Sequence, residues 1–184
     1  MDEKKTLSVV DKKGAWGFWR IAYIFFFCAA VGWIWEEIYC LVKHGFWVER
    51  GFLFGPILPI YGLGGITIYW LKNKMSDGSL IKLFLLSFLG AGVLEYLSSW
   101  LLELIFDKRW WDYTHVSLNL NGRVHFVGLL FFGAFGCILG HFVFPPFERF
   151  LEKQNKRVMT VVGAAMLSIF TIDVLASGIY HLVS

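Results

Sequence analysis

Several ionisable residues stand inside stretches of this sequence that are otherwise apolar enough to enter a membrane. Glu36 and Glu37 interrupt the run over about 18–42, Glu95 falls near the middle of the run over about 80–106, and Asp173 lies deep in the run over about 158–183. An ionised carboxylate at the centre of a bilayer costs on the order of 3 kcal/mol, so such groups face protein or water and mark functional sites. The alternative is that they pair with arginines or tyrosine hydroxyls and only lock helices together. Helical spacing puts Gly32, Glu36 and Cys40 on one face, and Gly92, Glu95, Ser99 and Glu103 on another. Phe170, Asp173, Ser177 and Tyr180 share a third. Glu37, next to Glu36, points elsewhere, to snorkel or to face an outer interface.

Two arginines, Arg50 and Arg123, each open an apolar run. They are either interfacial anchors or anion clamps, because a planar guanidinium holds phosphate or carboxylate through two parallel hydrogen bonds. The intervening loop 109–123, RWWDYTHVSLNLNGR, is dense in aromatic and hydrogen-bonding groups. Its tryptophans and Tyr113 suit an interfacial aromatic belt. Asp112 has three possible tasks: capping a turn, orienting Arg123, or taking part in a site. The loop as a whole reads as a lid over the outer mouth or as simple packing. His125, just inside Arg123, could titrate near neutral pH or serve as a hydrogen-bonded packing residue. The sequence contains no phosphate loop, HExxH, GxSxG or Cys/His metal cluster. No cofactor or metal is expected, and Cys28, Cys40 and Cys137 read as structural thiols.

The elements that must position these groups are transmembrane helices. The chain has 184 residues, 57% hydrophobic and 17% charged, against about 25% charged in a soluble domain. That is too little polar surface for a water-soluble globule, and the formal charge of +3 is too small to argue for nucleic acid. The expected fold is an all-α integral membrane protein with five spans, over about 18–42, 52–71, 80–106, 124–144 and 158–183. Residues 1–17 form a cytoplasmic N-terminal segment and 18–184 a single transmembrane domain. Lysine and arginine gather on the side of the N-terminus, which predicts N-in, C-out. The second span, within 50–65 (RGFLFGPILPIYGLGG), is broken by glycines and by Pro56 and Pro59. Broken backbone at membrane depth is tolerable only against protein or a wet cavity. Pro145 and Pro146 are expected to end the fourth span. Gly32, Glu36, Arg50 and Gly55 correspond in order to Gly92, Glu95, Arg123 and Gly128, which suggests two parallel helical-hairpin repeats plus a fifth helix.

GWIWEE, RGFLFGPILPIYGLGG, LEYLSSWLLE and RWWDYTHVSLNLNGR, in that order, resemble the CmpB-type family of ABC-transporter type IV permeases, small bacterial membrane proteins. The WDY segment also resembles an uncharacterised vertebrate transmembrane family. The resemblance covers about 18–144 and implies a bacterial inner (cytoplasmic) membrane location and motif residues that include Glu36, Arg50, Tyr61, Glu95, Trp111, Asp112, Tyr113 and Arg123. It also implies a separate ATPase chain, since this one carries no nucleotide site.

Three functions follow as expectations. The first is a permease-like transport component that binds a small anionic or zwitterionic solute from the outside, through Glu36, Arg50, Glu95, Asp112, Tyr113, Arg123 and His125, with Tyr61 and Asp173 secondary. The second is a membrane-embedded enzyme acting on a lipid or lipid-linked phosphate. The third is a non-catalytic scaffold. The expected partners are the lipid bilayer, an ATPase or other subunit, and a second copy of the chain.

Overall fold

The computed structural model describes residues 3–46, 51–75 and 77–183. Its architecture is helical: α1 (Glu3–His44), α2 (Pro59–Lys74), α3 (Leu80–Phe106), α4 (Phe126–Ile138), α5 (Phe144–Lys153) and α6 (Lys156–Val183). The strands β1 (Asn119–Leu120) and β2 (Val124–His125) form a small antiparallel hairpin just before α4, with Asn119 opposite His125 and Leu120 opposite Val124.

Among the described residues, four helices are long and apolar enough to cross a membrane by length and composition: Trp16–Lys43, Leu80–Phe106, Phe126–Lys153 and Lys156–Val183. Large apolar side chains such as Leu89, Val93, Ile172 and Ile179 are exposed on these helices, as befits a surface that meets lipid. The protein is an all-α membrane protein. The expected second span differs in form. Its helix, α2, has 16 residues, about 24 Å at 1.5 Å per residue, against a hydrocarbon thickness of about 30 Å. Pro59 starts that helix, where its missing N–H costs nothing.

Close contacts fix how the helices lie. Gly32 receives the Tyr61 ring and Gly65 receives Cys28, so α1 and α2 run antiparallel. Leu129 lies over Gly92, Ser87 against Gly136 and Leu83 against Gly140, so α3 and α4 are antiparallel as well. Trp19 lies on Gly163 and the Phe25 and Phe26 rings meet Phe170, which sets α6 parallel to α1. A cluster of Ile24, Cys28, Ile68, Leu83 and Phe144 forms the core at the end of the bundle away from the 107–125 loop.

The segment 51–58 is non-helical, and its freed backbone groups find partners on α6 and α1. The Phe54 and Gly55 amides donate to the two carboxyl oxygens of Asp173 at 3.1 and 3.0 Å, and Phe54 N–H also reaches Ser177 Oγ at 3.1 Å. The Phe52 carbonyl meets His181 Nε2 at 3.1 Å, and Leu58 N–H donates to the Ala29 carbonyl at 3.1 Å. Asp173 therefore acts as a cap for broken backbone, in the manner of an N-cap side chain.

The prolines 145 and 146 do not end the fourth helix, contrary to the sequence expectation. A π-helical turn, Leu139–Val143, joins α4 to α5, and the Phe144 amide donates to Leu139. The wider turn lets two residues without N–H donors sit at the start of α5, so the helix carries on to Lys153. Arg20 on α1 then holds α5 through Glu148 at 3.3 Å and Glu152 at 3.2 Å, with the Tyr69 hydroxyl donating to Glu148 at 2.5 Å.

Candidate functional site

Two carboxylates from different helices meet two phenols at the end of the bundle that carries the loop. Glu36 on α1 accepts a 2.6 Å hydrogen bond from the Tyr61 hydroxyl, which rises from the first turn of α2. Gly32 makes this possible, because a Cβ there would overlap the Tyr61 ring. Glu95, on α3, is buried at 8% exposure and meets the Tyr113 hydroxyl. Glu36 lies within electrostatic reach of Glu95, and Tyr61 senses both Glu95 and Tyr113. Burial pushes the Tyr113 hydroxyl well above the usual phenol range, with the charge of Glu95 adding to it. Tyr113 stays a hydrogen-bond donor at any physiological pH. The second oxygen of Glu95, Oε2, has no hydrogen-bond partner, and neither does Oε2 of Glu37.

The loop holds Tyr113 in place by local chemistry. Asp112 Oδ1 accepts the Thr114 amide at 2.9 Å, and that bond holds the Asp112 carboxyl below the usual range. Of its three possible tasks, Asp112 therefore performs the turn cap, with Arg109 at 4.0 Å beside it. Tyr113 N–H donates to the Gly122 carbonyl, and Trp111 Nε1 to the Arg123 carbonyl at 2.9 Å. Gly122 has φ +68° and lies against Thr114 and Asp112, so both conformation and space call for glycine. His125 precedes the first turn of α4 and its ring lies 5.7 Å from that of Tyr113.

The expected residues thus divide. Glu36, Tyr61, Glu95 and Tyr113 come together, with His125 at the edge. Arg123 is 9% exposed and pairs with Glu103, about two turns along α3 from Glu95, while its Nη1 donates to Ser99 at 3.1 Å. Glu103 also takes Arg109 at 3.0 Å, so Arg109, Glu103 and Arg123 form a separate cluster, with Asp112 at 4.0 Å from Arg109 as its second negative charge. Asp173 belongs to the cap of segment 51–58. Arg50 lies outside the described residues. Glu37, expected to snorkel or to face an outer interface, is buried at 3% exposure. The i, i+4, i+8 series Glu95, Ser99, Glu103 puts Glu103 on the Glu95 face, but spacing alone gives it no partner.

An apolar groove of about 650 Å³ opens between α3, the β-hairpin and α4, lined by Leu89, Val93, Leu97, Leu120 and Phe126 among others. None of its lining residues is Glu36, Tyr61, Glu95 or Tyr113. It lies apart from the polar cluster, with Tyr96 at its rim accepting from Asn121 Nδ2 at 3.1 Å. Among the described residues no group of three or more His, Cys, Asp or Glu side chains could hold a metal ion.

Apolar helices enclosing paired carboxylates and phenols define a multi-pass helical membrane protein. The CmpB family model, described as "Putative ABC-transporter type IV", matches residues 23–178. The chain belongs to that family, which places it among transport-related membrane proteins. No curated protein and no solved structure matches the chain.

Proposed function

We propose that the chain is a permease-like component of the cytoplasmic membrane whose Glu36–Tyr61–Glu95–Tyr113 cluster binds a small zwitterionic solute from the outer face. The observation that carries this reading is the meeting of two carboxylates with two phenols from three helices and a loop. Buried charge of that kind is retained in membrane proteins where substrates or ions pass. Of the anionic and zwitterionic solutes, the zwitterion fits better, because its ammonium end answers the carboxylates. Arg123 is held by Glu103, and Arg50 at the mouth of the broken segment is the candidate for the anionic end.

The five-span, N-in/C-out arrangement belongs to this proposal. Segment 51–58 with α2 makes the second crossing, one that is part strap and part helix. The antiparallel α1–α2 and α3–α4 pairs and the parallel α1 and α6 agree with it, since an odd number of crossings returns α6 to the direction of α1. Residues 1–17 then lie in the cytosol with the basic loops, where an ATPase or other subunit would dock. The two hairpins can be read as parallel repeats, with α4 unbroken where its counterpart is broken. A second copy of the chain would enlarge the pathway.

Uptake of labelled zwitterionic amino acids into proteoliposomes tests the site. Glu95→Gln and Arg50→Gln should each abolish binding and uptake while the protein still inserts. A normal binding isotherm for both variants would overturn the proposal. The apolar groove with its polar rim at Tyr96 favours one second reading, a membrane-embedded enzyme that holds a lipid chain there. A change in the mass profile of a native lipid extract on incubation with the purified protein would support it.

A further inference from the structure

Among the described residues, the two carboxylates lack a counter-charge. Glu36 receives its 2.6 Å bond from a phenol, and Glu95 also faces one. A phenol gives a hydrogen bond without neutralising charge. The titratable groups around the pair come from every side: Tyr39 from α1, Tyr61 from α2, and Tyr113 from the loop with His125 behind it. Along α3 the next charged group is Glu103, already engaged by Arg109 and Arg123. From α4 comes Phe132, whose ring lies 5.6 Å from that of Tyr61. Among the described residues, neither Glu36 nor Glu95 has an ion-pair partner.

Two carboxylates that feel each other's charge in an apolar setting cannot both ionise cheaply. Glu36 is suited to the anionic form because Oε1 accepts a short bond. Glu95 is suited to the acid form, since its Oε2 is buried without a partner and an unsolvated hydroxyl costs far less than an unsolvated charge.

We propose that the Glu36–Glu95 pair is a proton-binding site, with the proton on Glu95, and that solute entry is coupled to its release. This rests on the solute reading of the same cluster. When an ammonium group arrives, the O–H bond of Glu95 breaks, the proton passes to water on the loop side, and the ammonium takes over as counter-charge. Tyr113 lies against Glu95 from that side and keeps its own proton throughout.

The test is infrared spectroscopy of the full chain in phosphatidylethanolamine–phosphatidylglycerol nanodiscs at neutral pH, without solute. The expected result is a carbonyl band of protonated carboxyl that shifts in heavy water, loses its Glu95 component in Glu95→Gln and keeps that component in Glu37→Gln, whose own buried carboxyl accounts for any band left in Glu95→Gln. Tyr113→Phe, which keeps the ring, should move the band without removing it, and it decides the matter if Glu95→Gln elutes as aggregate. Absence of the band in the wild type would overturn the proposal. So would undiminished intensity in folded Glu95→Gln, complete loss in Glu37→Gln, or an unmoved band in Tyr113→Phe. Because no solute is present, a missing band alongside normal solute binding would remove the proton and leave the transport reading standing.

Discussion

Replacing Asp173 by alanine should loosen the strap 51–58 from α6, and the structure sets the size of the effect. The carboxyl accepts from the Phe54 amide at 3.1 Å, the Gly55 amide at 3.0 Å and the Ser177 hydroxyl at 3.1 Å. In Asp173→Ala the Phe54 amide keeps Ser177 Oγ, while the Gly55 amide loses the acceptor it has. One orphaned backbone donor costs about 1–3 kcal/mol and each of the two further lost bonds about 1, so the expected loss is about 3–5 kcal/mol. Asp173→Asn keeps one acceptor oxygen but turns an amide donor toward an N–H, for a loss of about 1–2 kcal/mol. Detergent unfolding of the full chain, followed by tryptophan fluorescence, measures both. Asp77→Ala, which loses only an exposed ion pair with Lys82 and one turn hydrogen bond, is the control and should change stability much less than Asp173→Ala. If both Asp173 variants match that control, the strap's amides are satisfied by water and the capping argument is wrong.

The other predictions concern the site and its supports. Gly32→Ala should displace the Tyr61 ring and cost about 1–3 kcal/mol, whereas Gly64→Ala, with open space at its Cβ, should be neutral or stabilising by up to about 1 kcal/mol; equal melting temperatures for the two variants would contradict the packing. Glu103→Gln should lower stability by leaving the buried Arg123 guanidinium short of charge, read in the same unfolding assay, with an unchanged midpoint as the failing result. The Asp112 carboxyl titrates lower in the folded loop than in the unfolded chain, so the stabilisation it gives is present above about pH 4 and is lost as pH falls through its depressed value. Hydrogen exchange of the loop amides should therefore speed up on acidification in the wild type and lose that acid step in Asp112→Asn.

Much of the bundle was legible from composition and period. Long apolar runs dictate helices, because in lipid every backbone group must be satisfied internally, and the carboxylates within those runs stand out by their cost. The same reasoning located the dense loop around Tyr113 and a broken stretch within 50–65, of which the part from Pro59 on is helical. It misjudged Pro145 and Pro146, because a π-helical turn is a local widening that leaves no pattern in residue type.

Pairing was decided by the tertiary structure alone. Sequence spacing sets Glu95, Ser99 and Glu103 on one face but does not say that Arg123 stops at Glu103 and leaves Glu95 to Tyr113. Nor does it say that Asp173 serves backbone amides more than a hundred residues away, or that Glu37 turns inward. Helix formation and burial follow from each segment's own residues. Which acid meets which donor depends on how closely helices approach, and here that is set by contacts such as Gly32 against Tyr61, made between segments distant in the chain.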